Sequence, residues 1–416
     1  MQGGTLRERA VLAALWLLVP LALSAQACSA QKIRVLLTGQ IDQSVNPLQV
    51  WFKAEPLVEY LAVPSRDLRG ILGGDKAMSR FIRIYFPRSY QDLSSYEFIL
   101  LNSPVTSLFS KTQLDWMYRA IVDGSGGLNT ASIMSQFPDV YGGWVESVLQ
   151  EAFPNDAPLV VQKFGGATSK TKAFHIVVNR DFPVPVLTPF IPLGVERFLG
   201  EDSRFIILRP GASALAYQVG NFPGYRDVPY IAVWEYGKGR TMTTGDAFGH
   251  TFWSSYRGTS SDNIYALDIL MNLIFYATHR KVAEDVQAFH KARSYFMEFR
   301  TRMAVLLGLK DFVEKFGART RSVDEMVARL EELNREAGDR YVQQDFEGCE
   351  QVMKEAFDLF KETEVATVKL KQRALMWVYL VEWLATTSVL LFSGFLLWSL
   401  MVRRQLYRGV GYTRAG

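Results

Sequence analysis

The side chains of this chain that could do chemistry collect where short apolar runs end. Phe98 to Leu101 is a continuous apolar run, as expected of a strand buried on both faces of a parallel sheet, and it stops at Asn102-Ser103. Ile33 to Thr38 is a second run, and it stops at Gly39-Gln40. A third short strand is expected near Leu128 to Thr130 and leads into the turn Thr130-Ala131-Ser132. In sheets of this kind ligands gather at the carboxyl ends of the strands. Gly39, Gln40, Asn102, Ser103, Thr130 and Ser132 are therefore the expected lining of a ligand-binding crevice. Amides and hydroxyls of this type can hold a polar ligand, and a serine becomes a nucleophile only where a base stands beside it.

Other chemistries find less support. The four histidines, His175, His250, His279 and His290, have no paired ligand spacing, and the two cysteines cannot build a disulfide framework or a thiolate metal site. No metal and no cofactor is expected. Gly237-Lys238-Gly239-Arg240 lacks the residue order of a phosphate loop. A formal net charge of +4 over 416 residues, without a basic tract interleaved with aromatics, gives no reason to expect nucleic acid.

The elements that must position these residues centre on Tyr96 to Gln136. After the Phe98 strand, Ser110 and Gln113 have capping-box spacing, and Leu114, Met117, Tyr118, Ile121 and Val122 repeat on one helical face. Gly124 is placed to stop that helix, and Gly126-Gly127 lead into the next strand, which completes a β-α-β crossover. Further strands are expected at Phe81 to Tyr85, Leu159 to Gln162, His175 to Val178, Phe205 to Leu208, Leu215 to Gln218, Tyr230 to Trp234 and Thr241 to Thr244. Glu235 to Arg240 is a glycine turn between the last two. The proline-rich run Phe182 to Pro192 is expected to be irregular. Asp262 can cap a helix running to about Thr278. From Val282 onward the composition is charged, glycine-poor and helical. One apolar stripe holds Val323, Met326, Val327, Leu330 and Leu333, and a second, beyond a break at Gly338, holds Phe346, Cys349, Met353, Ala356, Phe357 and Phe360. Two such stripes make a hairpin or short coiled bundle, with Cys349 a packing thiol.

The order of these pieces resembles the class I glutamine amidotransferase-like superfamily over roughly Ile33 to Thr278. The residues that carry the resemblance are Leu114-Asp115-Trp116 before Val122-Asp123-Gly124-Ser125-Gly126-Gly127, and the Tyr236-Gly237-Lys238-Gly239-Arg240 strand pair leading to Gly245-Asp246 and His250. The resemblance implies a flavodoxin-like, doubly wound sheet. In catalytic members a cysteine follows the double-glycine strand, and a histidine with a carboxylate two residues beyond completes a triad. Here the turn reads Asn129-Thr130-Ala131-Ser132, and Phe252 stands where the carboxylate would be. Glutamine hydrolysis needs both missing groups. A serine variant would use Ser132 as nucleophile, His250 as base and Asp246 as orienter, although Ser132 lacks a glycine-flanked elbow. Trp253 could line the same crevice or pack beside the closing helix.

The two ends of the chain read as membrane targeting. Arg7 and Arg9, the apolar stretch Ala10 to Leu23, and the small residues around Ala27 compose a signal peptide. Leu384 to Val402 is free of charge and, as a helix, about 28 Å long, which suits a bilayer core. Arg403, Arg404 and Arg408 follow it, while Trp377, Tyr379 and Trp383 precede it, so the C-terminus is expected in the cytoplasm and the bulk of the chain outside. Glu382 is expected as a snorkelling carboxylate at the outer edge. The expected division is a signal peptide over 1–30, an α/β ectodomain over 31–280, a helical stalk or hairpin over 281–373, a membrane helix with its interfacial flank over 374–402, and a basic tail over 403–416. The fold class is α/β, with a doubly wound, mostly parallel sheet and an antiparallel extension. The expected role is non-catalytic binding of a ligand or partner at the cell surface. Serine-dependent hydrolysis is the enzymatic alternative. Service as a subunit of a membrane complex, or as a homo-oligomer, is the structural one.

Overall fold

A computed structural model describes residues 32–43, 47–67, 70–131, 143–164, 173–201, 203–220, 222, 224–249, 252–253 and 263–412, with side chains to 407. The expected signal peptide, Ser132, His250, Asp262 and the last four residues lie outside these. Contacts divide the chain into two units. One runs up to Ser294 and takes in Gly338–Glu347; the other comprises Tyr295–Ala337 and Gly348 onward.

The first unit is built on a nine-stranded mixed sheet. Its strands are β1 (Ile33–Gly39), β2 (Val58–Pro64), β3 (Phe98–Asn102), β4 (Gly126–Thr130), β5 (Phe174–Val178), β6 (Leu199–Gly200), β7 (Ser213–Val219), β8 (Val228–Tyr236) and β9 (Gly239–Thr244). Their spatial order is β2-β1-β3-β4-β9-β8-β7-β5-β6. The first five are mutually parallel and follow the 2-1-3-4-5 order of flavodoxin-type sheets, while β8, β7, β5 and β6 add antiparallel strands. The apolar runs explain this division. β3 is buried along its whole length, as a central parallel strand must be, whereas β5 alternates buried and exposed residues as a half-solvated antiparallel strand does.

The longer helices of this unit are α1 (Leu48–Ala54), α2 (Gly74–Tyr85), α3 (Lys111–Asp123), α4 (Ala157–Phe164) and α5 (Ala266–Ala277). α3 begins at the expected capping box, with Ser110 accepting from the Gln113 amide and the Gln113 side chain accepting from the Ser110 amide. Its apolar face buries Leu114, Met117 and Ile121 in the core, and it stops at Gly124.

Several expectations are corrected. Phe81 to Tyr85 is the end of α2, not a strand. Its alternation also satisfies a helical face, since Met78 and Ile82, four apart, are the buried residues. The second strand is Val58–Pro64. Leu159 to Gln162 lies within α4, where Ala157 and Val160 supply the buried side. Phe205 to Leu208 forms no ladder beyond one bridge between Leu208 and Asn155. In the two helical cases a short, mostly apolar run was compatible with both periods.

The second unit contains the larger parts of three long helices, where the stripes had marked two. These are α6 (Val286–Lys315), α7 (Arg321–Val342) and α8 (Phe346–Tyr412). Gly338 does not break α7, and the chain turns at 343–345 instead. α6 and α8 run side by side in one direction. Tyr295 meets Phe357 at 5.7 Å between ring centroids and Phe299 meets Phe360 at 5.0 Å. α7 returns between them in sequence, tied by Lys310 to Asp324 at 2.8 Å and by Arg329 to Glu355 at 3.5 Å. Leu306, Val313, Val323, Leu330, Cys349, Met353 and Phe360 fill the interior. α8 continues as a single helix through the apolar segment and contains the one helix among the described residues that is long and apolar enough to cross a membrane.

Candidate functional site

The parallel register lines up the carboxyl ends of four strands. Gly39 stands opposite Asn102, and Thr130 opposite Thr244. The residues expected to face a crevice are thereby brought into one row, and their polar groups are joined across it. The Gln40 amide donates to the Asn102 carbonyl at 2.8 Å, and Asn102 Nδ2 donates back to the Gln40 carbonyl at 2.7 Å. The Ser103 amide donates to Thr130 Oγ1 at 3.0 Å, and the Ser103 and Thr130 hydroxyls are 2.8 Å apart. Thr38 and Ser65 share a further hydroxyl contact at 2.9 Å, and Arg66 Nη1 donates to the Ser103 carbonyl at 3.3 Å.

Two backbone features hold this row. Gly39 has φ +111°, and a Cβ there would lie 2.1 Å from the Asn102 carbonyl oxygen, so only glycine lets β1 turn against β3. Ser103 has φ +52°, an uncommon conformation for a residue with a side chain, and its amide and hydroxyl are both directed to Thr130.

At the end of β9, Asp246 is completely buried. Its Oδ1 accepts from the Tyr230 hydroxyl at 2.7 Å and from Trp253 Nε1 at 2.8 Å. Burial, followed by the neighbouring Asp246 charge, pushes the Tyr230 phenol well above its ordinary value, so it stays protonated and donating. Trp253 is also fully buried, packed on Phe248 at 4.7 Å and edge-on to Phe252 at 5.1 Å between centroids. These contacts give Asp246 and Trp253 structural partners. Ser132 and His250 lie outside the described residues. Among the described residues no group of three or more histidine, cysteine or acidic side chains has a metal-binding arrangement.

A second polar constellation went unread in the sequence. It sits in the same unit, where the end of α1, α5, the start of α6 and the end of α7 meet. Arg293 is buried and donates from Nε to Glu55 Oε2 and from Nη1 to Asp268 Oδ1, both at 2.6 Å. Asp268 Oδ2 pairs with His290 Nδ1 at 2.7 Å, and the Tyr341 hydroxyl donates to Glu55 Oε2 at 3.1 Å. Burial alone would lower the Arg293 pKa, but Tyr341, Asp268 and Glu55 outweigh it and hold the guanidinium firmly charged. Burial likewise raises the Tyr341 phenol well above its usual range. The guanidinium also covers the Phe289 ring at 4.3 Å, and Phe289 stacks on Tyr341 at 5.5 Å. A signal for this cluster was present. Asp268 and Asn272 stand four residues apart in a helix whose twelve residues are all buried and otherwise apolar, so both need partners. Asn272 finds its own at the carbonyls of Val186 and Ala283 and the amide of Ala283.

No family model matches the chain, and no curated protein matches it. Solved structures do show likenesses. Two cytoplasmic proteins of Salmonella typhimurium align over 59% of this chain and 99% of their own, at 15% and 13% identity and a TM-score of 0.42. A β-galactosidase from Bacillus circulans sp. alkalophilus aligns over 62% of this chain and 32% of its own, at 12% identity and a TM-score of 0.34. Likenesses at this level carry no statement about activity.

Proposed function

We propose that this protein is a membrane-anchored binding or scaffolding subunit, with a degenerate amidotransferase-like α/β unit held at the outer face of the membrane and its C-terminus in the cytoplasm. The observation that carries this reading is the row at the strand ends. Its described hydroxyls and amides hydrogen-bond to one another, and Asp246 Oδ1 accepts from both Tyr230 and Trp253. A nucleophile requires a base within hydrogen-bond reach, and the Thr130 hydroxyl that Ser103 meets at 2.8 Å is not one. Such a neutral, pre-tied rim suits recognition of a polar ligand or a partner surface.

The test is extraction of the full chain in mild detergent, followed by sizing and identification of whatever accompanies it. A stable hetero- or homo-oligomer is expected, and a strictly monomeric protein would count against the scaffold. In parallel, the same preparation is assayed on acyl and amide substrates. Turnover that disappears in Ser132→Ala would replace this reading with the serine hydrolase.

A further inference from the structure

The end of the α6–α7 pair carries two aromatic side chains that the helical unit covers only in part. Phe312 and Phe316 stack at 4.8 Å between centroids yet remain 37% and 40% exposed. α6 ends at Lys315, and Phe316 opens the turn that Gly317 continues with φ +76°. Their position along α8 is fixed by Lys371, whose Nζ lies 5.5 Å from the Phe312 centroid. The side-by-side course of α6 and α8 places Phe316 one turn further, about 6 Å along the same direction. That is the level of about Ala374 to Met376 on α8, within one turn of Trp377 and Tyr379.

Burial along α8 changes at this level. Ala374 is still covered, and from Met376 onward Trp377, Tyr379 and Trp383 are all more than 60% exposed. These are the aromatic residues that precede the charge-free membrane segment, and tryptophan and tyrosine in that position mark a bilayer interface. The tip is therefore level with the interfacial belt of the helix it packs on. Its charges are largely neutralised in place. Lys310 bridges Glu314 and Asp324, Lys315 pairs with Asp311, and Arg321 pairs with Glu325. The tip is nearly neutral overall and exposes its two rings among paired charges, a combination that suits the boundary between headgroups and acyl chains better than a charged protein partner.

We infer that the α6–α7 tip is a second membrane contact, in which Phe312 and Phe316 enter the headgroup boundary of the same leaflet that α8 pierces. The inference rests on α8 crossing the bilayer. It gives the helical unit two points of support on the membrane, a spanning helix and an interfacial wedge.

Spin labels on the full chain in phosphatidylcholine nanodiscs test it. Single cysteines are placed by Phe316→Cys, Val305→Cys or Leu391→Cys after Cys28→Ser and Cys349→Ala, and collisions with oxygen and with a water-soluble nickel chelate are compared. Val305 is the aqueous reference, 65% exposed and eleven residues up α6 from the tip, and Leu391 lies within the span. The expected result is an oxygen-to-nickel ratio highest at 391, and several-fold higher at 316 than at 305. A label introduced by Arg319→Cys, which leaves both rings in place, should behave like 316. A lipid-protected 391 beside tip labels as nickel-accessible as 305 would overturn the inference while leaving the spanning helix intact. A nickel-accessible 391 would overturn the span and the inference together.

Discussion

Arg293 Nε lies 2.6 Å from Glu55 Oε2, across 238 positions of sequence, and ties the start of α6 to the end of α1. Both groups are buried, and Asp268 occupies the other arm of the guanidinium. Removing the cation from between two buried carboxylates leaves uncompensated charge. Arg293→Met is expected to destabilise the α/β unit by about 3–5 kcal/mol, more than its loss of packing would cause. Combining Arg293→Met with Glu55→Gln and Asp268→Asn should recover part of that loss. Chemical denaturation of the three forms in detergent checks both statements, and an Arg293→Met chain as stable as wild type would contradict the assigned role.

Asn272 satisfies two carbonyls and one amide from the middle of a fully buried helix. Asn272→Leu raises helix propensity, but it orphans those backbone groups and adds side-chain volume to a packed site. A loss of about 1–3 kcal/mol is expected, read as a lower denaturation midpoint at unchanged slope.

At Gly39 the backbone itself is the constraint. Gly39→Ala would force a Cβ into the Asn102 carbonyl at a φ that L residues rarely adopt. The expected cost exceeds the ~1 kcal/mol of an ordinary glycine replacement. Because the same clash displaces Asn102, hydrogen exchange should quicken at the Gln40 and Ser103 amides before it does elsewhere in the sheet.

Alkaline pH supplies a different test. Tyr230 and Tyr341 are both raised well above the ordinary value of 10.0, mainly by burial. In the unfolded chain they ionise near that value, so the stability they confer is complete below pH 10 and is lost as pH climbs above it. The slope is up to about 1.4 kcal/mol per pH unit for each group. Tyrosinate absorbance from these two residues should appear only together with unfolding, and Tyr230→Phe should lower the slope by up to about 1.4 kcal/mol per pH unit.

The reach of the sequence differed between regions for physical reasons. The crossover from Phe98 to Thr130 could be read because three local signals agreed: a continuous apolar strand, a capping box at Ser110 and Gln113, and a glycine stop at 124. The row of strand ends followed from that unit, since parallel register brings Gly39, Asn102 and Thr130 together once the strands are known. Phe81 to Tyr85 and Leu159 to Gln162 were misread because four or five apolar residues do not distinguish a period of 2 from one of 3.6. The Glu55, Asp268, Arg293 and Tyr341 cluster joins positions up to 286 residues apart, and no local pattern encodes such a pairing. Only the isolated Asp268 and Asn272 within an apolar helix hinted that partners must exist.

The α/β unit takes in Gly338–Glu347, so its contacts are not contiguous in the chain. During synthesis Glu55, Asp268 and Arg293 emerge well before Tyr341 does. At 5–20 residues per second the 48 residues from Arg293 to Tyr341 take roughly 2–10 s to appear. Throughout that interval Phe289 lacks the Tyr341 and Phe346 rings that later cover it. The nascent unit thus waits, incomplete, for a segment delivered only after most of the α6–α7 pair has been made, and a chain cut at Ser294 would stay in that waiting state.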